Sequence, residues 1–380
     1  MSAAPGIFRV SEKGDRAPEA QGGYAAQWLT KDQELEWDSF VLQHRFGSVY
    51  HTTDWKKVVE QAFPHIRGRL LVLRDADSGR ILAGLPVYHV SSWLLGSRLV
   101  SIPFATVCDP LVTTLGEWAA LTPELERERT RTGNKKLVIR AALHAGPSPP
   151  SFDSHSHFRH HVLPLDTDFE ALCRCFDKHS VRQKARKARR AGVSIRQRND
   201  KIAMAISDAL LATTRRRLSL PPMPSRFFAS MQNNLRAEHL KIFLAYQNEK
   251  PIACHIVLAF KDAWISEYSA NADGAISGVN QLLYLETIRQ ACAAGARTFS
   301  FGRTSDTNEG LLSYKRRWAT LEENLTDYTL RENRGNARPD AERVTSPQTS
   351  RLYVLCKRAI AKVPAPVSRM MGNFCYRHLG

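Results

Sequence analysis

Residues 240–303 read LKIFLAYQNEKPIACHIVLAFKDAWISEYSANADGAISGVNQLLYLETIRQACAAGARTFSFGR. Two apolar runs, Leu240 to Tyr246 and Pro251 to Phe260, flank Asn248-Glu249, a pattern that predicts a β-hairpin. Ala263 to Ala270 is a third strand. Gly278 to Ala294 then carries helical periodicity, and Thr298 to Phe301 returns to β character. A hairpin, a strand, a helix and a further strand in that order make an α/β unit with a mixed sheet.

The unit extends back to His161. His161 to Leu165 is a strand, Phe169 to Arg190 a helix broken at Gly192, and Val193 to Arg196 a strand. Helices over Ile202 to Leu218 and Arg226 to Arg236 are separated by Leu220-Pro221-Pro222-Met223-Pro224. The first half shows a similar order. A helical pattern runs from Ala25 to Phe63, with Trp37, Phe40, Val41, Val58 and Val59 turned inward. Strands follow over Arg69 to Arg74 and Ile81 to Val90, around Asp77-Ser78-Gly79, and β character continues from Leu94 to Phe104. A helix from Leu115 to Arg131, a strand from Leu137 to Arg140 and a loop from Gly146 to Pro150 complete it. The duplication is one of element order, not of residues. The expected division is a loose tail at 1–23, a first domain at 24–160, a second at 161–330, and a basic linker and tail at 331–380. That tail includes an amphipathic helix over Leu352 to Val363.

The 380 residues are 43% hydrophobic and carry a net charge of +17. Such an excess suits anionic partners: nucleic acid, nucleotide cofactors, acidic glycans or an anionic lipid surface. The seven cysteines form no CxxC pair and are odd in number, which fits a reducing compartment better than a disulfide framework. No apolar segment resembles a signal peptide or a spanning helix, so the expected location is cytoplasmic. The sequence contains no GxSxG, HExxH or GxxxxGK[ST], and no GxGxxG after a strand. Hydrolase, metalloprotease and nucleotide-triphosphate readings thus lack support.

Several groups remain as candidates for chemistry. His155, His157, His160 and His161 crowd one segment with only Asp153 nearby, and read as solvated or strand-edge residues rather than metal ligands. Residues 178–198 contain nine Lys/Arg and no acid, among them Arg186 and Arg190. A phosphate-binding surface and a solvated helix face stand equal there. Thr214 to Arg217, Pro221-Pro222 and Arg226 to Phe228 read either as a lip over a cleft or as a connector. Gly278, Asn280 and Gln281 open a helix, where free N–H groups can hold a phosphate or an oxyanion. Gly302 and Arg303 end a strand, and Tyr314-Lys315 with Arg317-Trp318 follow close behind.

These residues resemble the GNAT-type acyltransferases, and more closely the FemAB-like branch, whose members carry two GNAT-like domains. The resemblance rests on the quoted unit, on Leu85-Pro86 with Ser101-Ile102-Pro103-Phe104, and on the basic helix before Gly192-Val193. It rests also on Leu220-Pro221 with Phe227-Phe228, and on Tyr314-Lys315 with Trp318, where the family reads (F/Y)-K-x-x-(W/F)-G. The C-terminal Tyr376-Arg377-His378-Leu379-Gly380 is similar to the sub-branch found with exopolysaccharide and PEP-CTERM/exosortase loci. The sequence departs from the family at Ala319, where Gly is usual, and its Gly-rich loop is reduced to Gly278-Val279-Asn280. The resemblance implies an α/β protein of two tandem GNAT-like domains with mixed β-sheets and an acceptor cleft between them. It implies transfer of an acyl or aminoacyl group to an amine or hydroxyl of a sugar-containing precursor. The donor would be acyl-CoA or aminoacyl-tRNA, and no metal is needed. Lys315 would supply charge to the tetrahedral oxyanion, and Tyr268 or Glu267 would assist proton removal. Gly278, Asn280, Gln281, Arg303, Arg317, Arg186 and Arg190 would hold donor or acceptor. The implied partners are a glycan or lipid-linked sugar, tRNA, and peripherally the anionic inner membrane. Two other classes stand beside this one: a basic nucleic-acid-binding protein without catalysis, and a non-catalytic GNAT-like scaffold.

Overall fold

The computed structural model describes residues 23–134, 136–142, 151–331 and 364–379. The tail at 1–22, the loop from Gly146 to Pro150, the linker at 332–349 and the helix expected over Leu352 to Val363 lie outside them.

Twelve strands form one continuous mixed sheet. They are β1 Tyr24–Trp28, β2 Ile66–Asp75, β3 Ile81–Val90, β4 Arg98–Val100, β5 Lys136–Ala141, β6 Phe152–Pro164, β7 Ser194–Gln197, β8 Leu240–Gln247, β9 Lys250–Phe260, β10 Ala263–Asn271, β11 Thr298–Ser305 and β12 Leu321–Arg331. Their spatial order is β1-β2-β3-β4-β5-β12-β6-β11-β10-β9-β8-β7. The last strand in sequence therefore sits in the middle, antiparallel to β5 on one side and to β6 on the other. Helices α1 Glu34–Gln43, α2 Thr53–Ala62 and α3 Leu115–Arg131 belong to the first half. Helices α4 Phe169–Cys175, α5 Lys184–Arg190, α6 Lys201–Arg217, α7 Ser225–Asn234, α8 Val279–Ala293 and α9 Glu309–Arg316 belong to the second. Helix α10, Ala365–Tyr376, follows after the undescribed linker.

Three apolar clusters hold the layers. One packs α3 on the first half of the sheet through Trp118, Leu121 and Leu125. A second packs α5 and α8 on the other half through Ala185, Ala188, Leu282 and Phe299. The third joins the halves. Trp55 and Phe63 of the first meet Phe227 of the second at ring distances of 6.1 and 5.6 Å, and Ser230 Oγ donates to the Val58 carbonyl at 3.0 Å. Burying aromatic rings of this size is the main source of cohesion across such a seam.

Most elements fall where periodicity and turn residues place them. The hairpin turn at Asn248-Glu249 has both residues at positive φ, 50° and 57°, the conformation that two-residue hairpins favour. The departures have local causes. The pattern from Ala25 to Phe63 begins with a strand, because Tyr24–Trp28 gains a ladder on β2 that its Ala and Gln content does not announce. The β run expected from Leu94 to Phe104 shrinks to β4. The helix expected over Phe169 to Arg190 breaks at Phe176-Asp177, well before Gly192. Asp177 turns its carboxylate back onto the N–H groups of His179 and Ser180, starting a wide turn over Lys178–Gln183 that runs into α5. The histidines of the 155–161 segment lie along β6, not in a loop, and no metal-binding group of three occurs among the described residues. Strand β12 and helices α9 and α10 have no counterpart in the sequence reading. No helix among the described residues is long and apolar enough to cross a membrane.

Candidate active site

Strands β10 and β11 run parallel, but their pairing ends after Ala263↔Thr298, Trp264↔Phe299 and Ile265↔Ser300. Beyond that point β10 bulges between Ser266 and Tyr268 and stays with β9. Strand β11 bulges between Ser300 and Arg303 and stays with β6. The two strands therefore part, and the sheet opens into a fork at their carboxyl ends, the usual ligand side of a parallel pair. Gly302 stands in the fork at φ 69°. A Cβ there would lie 3.4 Å from Thr106 Oγ1 of the first half and 3.7 Å from the Ser266 carbonyl.

Glu267 is the bulged residue of β10. Its carboxylate accepts a hydrogen bond from the Tyr50 hydroxyl, 217 positions earlier in the chain. Burial pushes Glu267 up to about 7, against the pull of Tyr50 and the Arg303 guanidinium. Tyr268 stands beside it with its ring edge-on to Phe227 and Phe228. Burial raises the Tyr268 phenol well above its ordinary range, and the Tyr50 phenol likewise. Both therefore remain protonated donors at neutral pH. Of Glu267 and Tyr268, the carboxylate has the proton affinity that removing a proton near pH 7 requires.

Arg303 faces Glu267 from β11. Its guanidinium stacks 4.7 Å above Phe158, and burial lowers it only to about 10, so it stays charged. Arg140 lies close by, its Nε donating to Asp327 Oδ1 at 3.2 Å and its Nη1 to the Ala105 carbonyl at 3.0 Å. Lys315 projects from α9 and is only 5% exposed. Its Nζ donates to the carbonyls of Gly302 and Arg303 at 2.8 and 3.2 Å, the β11 bulge itself. Burial pulls this ammonium down to about 7. A buried chain backs the fork: His255 bonds Thr287 at 3.2 Å and Ser266 at 2.8 Å, and Ser266 bonds Tyr284 at 2.9 Å. Burial takes His255 down to about 3, so it is neutral and serves as a fixed hydrogen-bonding strut.

The other candidates lie outward from the fork. Gly278 caps α8 at φ 94°, where a Cβ would sit 2.0 Å from the Lys184 carbonyl oxygen. Its lack of a side chain is thus what lets α8 abut α5. Asn280 Oδ1 is buried and has no hydrogen-bond partner among the described residues, while Gln281 is half-buried beside it. Oδ1 can only accept, so a phosphate or carbonyl oxygen at this helix opening would be met by the Asn280 amide NH2 and the backbone N–H groups. On α5, Ala185 and Ala188 face the core, whereas Lys184, Arg186, Lys187, Arg189 and Arg190 are exposed. The cations therefore share the outer surface next to the α8 opening. Arg317 is exposed at the end of α9, its carbonyl accepting from the Asp177 N–H, and it does not join the fork. A separate concavity of about 1090 Å³ lies at Trp28, Arg69 and the end of α3. Of its carboxylates, Glu128 is paired with Arg69 and Arg131, and Glu124 with Arg127.

Sequence reading reached Glu267, Tyr268, Arg303 and Lys315. It missed Tyr50, Arg140, Asp327 and the His255–Ser266–Tyr284 chain. Nothing near Tyr50 signals chemistry; only the packing of the two halves carries it to Glu267.

Residues 177–316 match the family model described as an acetyltransferase (GNAT) domain. No curated protein matches the sequence. Among solved structures, the chain is similar to FemX at 12% identity and a TM-score of 0.64, over 81% of this chain and 98% of that one. It is similar to a conserved protein of unknown function from Bacteroides thetaiotaomicron VPI-5482 at 10% identity and a TM-score of 0.56, over 81% and 99%. It is similar also to the C-terminal domain assigned to a lysylphosphatidylglycerol synthetase from Agrobacterium fabrum, at 9% identity and a TM-score of 0.52, over 80% and 93%. At such identities the likeness is one of fold, and it extends across both halves of the sheet. The fold is therefore α/β with tandem GNAT-like units, fused here into one sheet.

Proposed function

We propose, from the acetyltransferase (GNAT) domain match over residues 177–316, that this chain is an acyltransferase whose β10/β11 fork transfers an acyl or aminoacyl group to an amine or hydroxyl of a sugar-containing acceptor. The observation that carries this reading is Glu267, a carboxylate held near neutrality at the mouth of the fork and oriented by Tyr50 from the opposite half.

The acceptor nitrogen or oxygen attacks the carbonyl carbon of the donor and a C–N or C–O bond forms. Glu267 takes the proton released by the acceptor. Lys315 has two of its three N–H donors committed to the Gly302 and Arg303 carbonyls, which leaves one for the oxyanion. Arg303 adds fixed positive charge in the same low-dielectric space. The tetrahedral intermediate collapses by breaking the thioester C–S or the ester C–O bond, and Glu267 returns its proton to the leaving group. Asn280 and Gln281 at the α8 opening, with Arg186 and Arg190 on α5, would hold the donor's phosphates. Both acyl-CoA and aminoacyl-tRNA present phosphates, so either donor fits these cations. A lipid-linked sugar or exopolysaccharide precursor is the class that the resemblance favours, and the lysylphosphatidylglycerol synthetase likeness is in keeping with a lipid-borne acceptor.

The test pairs each donor, a short acyl-CoA series and charged total tRNA, with nucleotide-sugar and lipid-linked sugar acceptors, and reads the product by mass. Transfer from one donor, lost in Glu267→Gln, supports the reading. No transfer from any pair, or full transfer by Glu267→Gln, would overturn it.

A further inference from the structure

The chain leaves a set of large apolar side chains uncovered at one place. Trp93, Leu94 and Leu95, between β3 and β4, are 75%, 50% and 57% exposed, and Met370 and Phe374 of α10 are 67% and 54% exposed. They form one patch, because His378 lies between them. The Trp93 ring stands edge-on to His378 at 5.0 Å, and the Phe374 ring does so at 5.1 Å. Ser92 Oγ bonds His378 Nδ1 at 2.9 Å and accepts the Leu95 N–H at 2.9 Å, which fixes the loop against the helix end. Helix α10 is thus two-faced. Ser368, Gly372 and Tyr376 point inward, with Gly372 packed so closely that a Cβ would meet the Pro222 carbonyl at 2.3 Å. Val367, Met370 and Phe374 point outward at helical spacing.

Positive charge adjoins the patch. A concavity of about 390 Å³ is lined by Arg226, Arg369 and Arg377 together with Ser225, Asn373 and Phe374. Arg369 is paired with Asp208, whereas Arg226 and Arg377 are exposed. The sequence adds to this charge: residues 351–380 hold six Lys/Arg and no Asp or Glu. A protruding Trp and Phe, flanked by Leu and Met and rimmed by cations, matches an interface whose outer layer is anionic and whose inner layer is apolar.

We propose that the β3–β4 loop and the outer face of α10 dock the protein on an anionic lipid bilayer, with Trp93, Leu94, Leu95, Met370 and Phe374 entering the interface. Arg226 and Arg377 face the lipid phosphates. The inner face of the same helix carries Tyr376, which contacts Phe104 at a ring distance of 5.5 Å and bonds Arg215. Docking would therefore bring the seam between the halves to the lipid surface, a consequence that rests on the acyl-transfer reading although the docking itself does not.

The test is co-sedimentation of the full-length protein with phosphatidylcholine vesicles, with and without phosphatidylglycerol. The protein should pellet with the anionic vesicles and far less with the neutral ones. Arg226→Ala with Arg377→Ala should weaken binding about twenty- to thirtyfold, roughly fivefold per cation. Trp93→Ser with Phe374→Ser should weaken it about tenfold or more by removing buried apolar area. Unchanged circular dichroism and melting of both pairs would show that the fold is kept. Equal binding to both vesicle types, or pelleting untouched by either pair, overturns the proposal. So does a protein that stays in the supernatant and forms a dimer that Trp93→Ser dissociates, since the patch would then cover a second copy. Because the assay reads vesicle binding alone, its failure would leave the acyl-transfer reading standing.

Discussion

Glu267→Gln should make this protein both slower and more stable, and the size of the second effect follows from the site. The ordinary value for Glu is 4.5 and burial raises Glu267 to about 7. A group whose folded pKa is raised contributes no penalty below its unfolded value, where it is protonated in both states. The cost builds as pH rises from the unfolded value to the folded one and is constant above it. With a shift of about 2.5 units and about 1.4 kcal/mol per unit, the cost at pH 7 is roughly 3 kcal/mol. Gln carries no such cost, and its carbonyl can accept from Tyr50 as the protonated carboxyl does. The variant should therefore gain about 3 kcal/mol at pH 7 and nothing at pH 4. Thermal melts of both proteins from pH 4 to pH 8 would show the difference opening between about 4.5 and 7. Turnover in the transfer assay should fall by about 10² to 10⁴, the usual worth of a general base. A melting difference that does not change with pH would refute the buried-carboxylate account. A more stable variant of full activity would refute the catalytic role while leaving the electrostatics intact.

Other outcomes follow from the same geometry. The pH–rate profile should be a narrow bell centred near 7, its acid limb set by ionisation of Glu267 and its alkaline limb by loss of the Lys315 proton; a flat profile from pH 6 to 8 would exclude both roles. Lys315→Met should lower kcat by about 10² or more, with circular dichroism checking that the Gly302–Arg303 bulge survives without its ammonium anchor. If tRNA is the donor, Arg186→Ala with Arg190→Ala should reduce the slope of log affinity against log salt by roughly 1.5 to 2, whereas unchanged slopes would leave those arginines out of the contact. Gly278→Ala, which forces a Cβ against the Lys184 carbonyl at positive φ, should cost at least about 2 kcal/mol in a denaturant titration. Ala319→Gly should do the opposite. Ala319 sits at φ 56°, a conformation that favours Gly, and relieving it should add about 0.5 to 1 kcal/mol.

The second half of the chain was legible in the sequence because its signals are local. Apolar alternation marks β8, β9 and β10, Asn248-Glu249 marks a hairpin, and helical periodicity marks α8; each depends on neighbours within a few residues. Glu267, Arg303 and Lys315 could be picked out for a similar reason, since each lies at the end of a readable strand or beside a motif. Their environment could not be read. Glu267 becomes a base near neutrality only because burial removes water from it, against the pull of the Tyr50 hydrogen bond, and no spacing along the chain encodes a contact 217 residues apart. The fork itself depends on two bulges whose register is set between strands. Strand β12 is the clearest case: its residues alternate weakly, and only the gap between β5 and β6 gives them partners and fuses the two units into one sheet. The exposed face of α10 belongs with these, because a helix shows which side is uncovered only once the rest of the protein has covered the other. Sequence thus determined the elements whose periodicity and turn chemistry are local, and marked candidate side chains at their ends. Tertiary structure alone decided which of those side chains meet, and at what dielectric, because both depend on burial by residues distant in the chain.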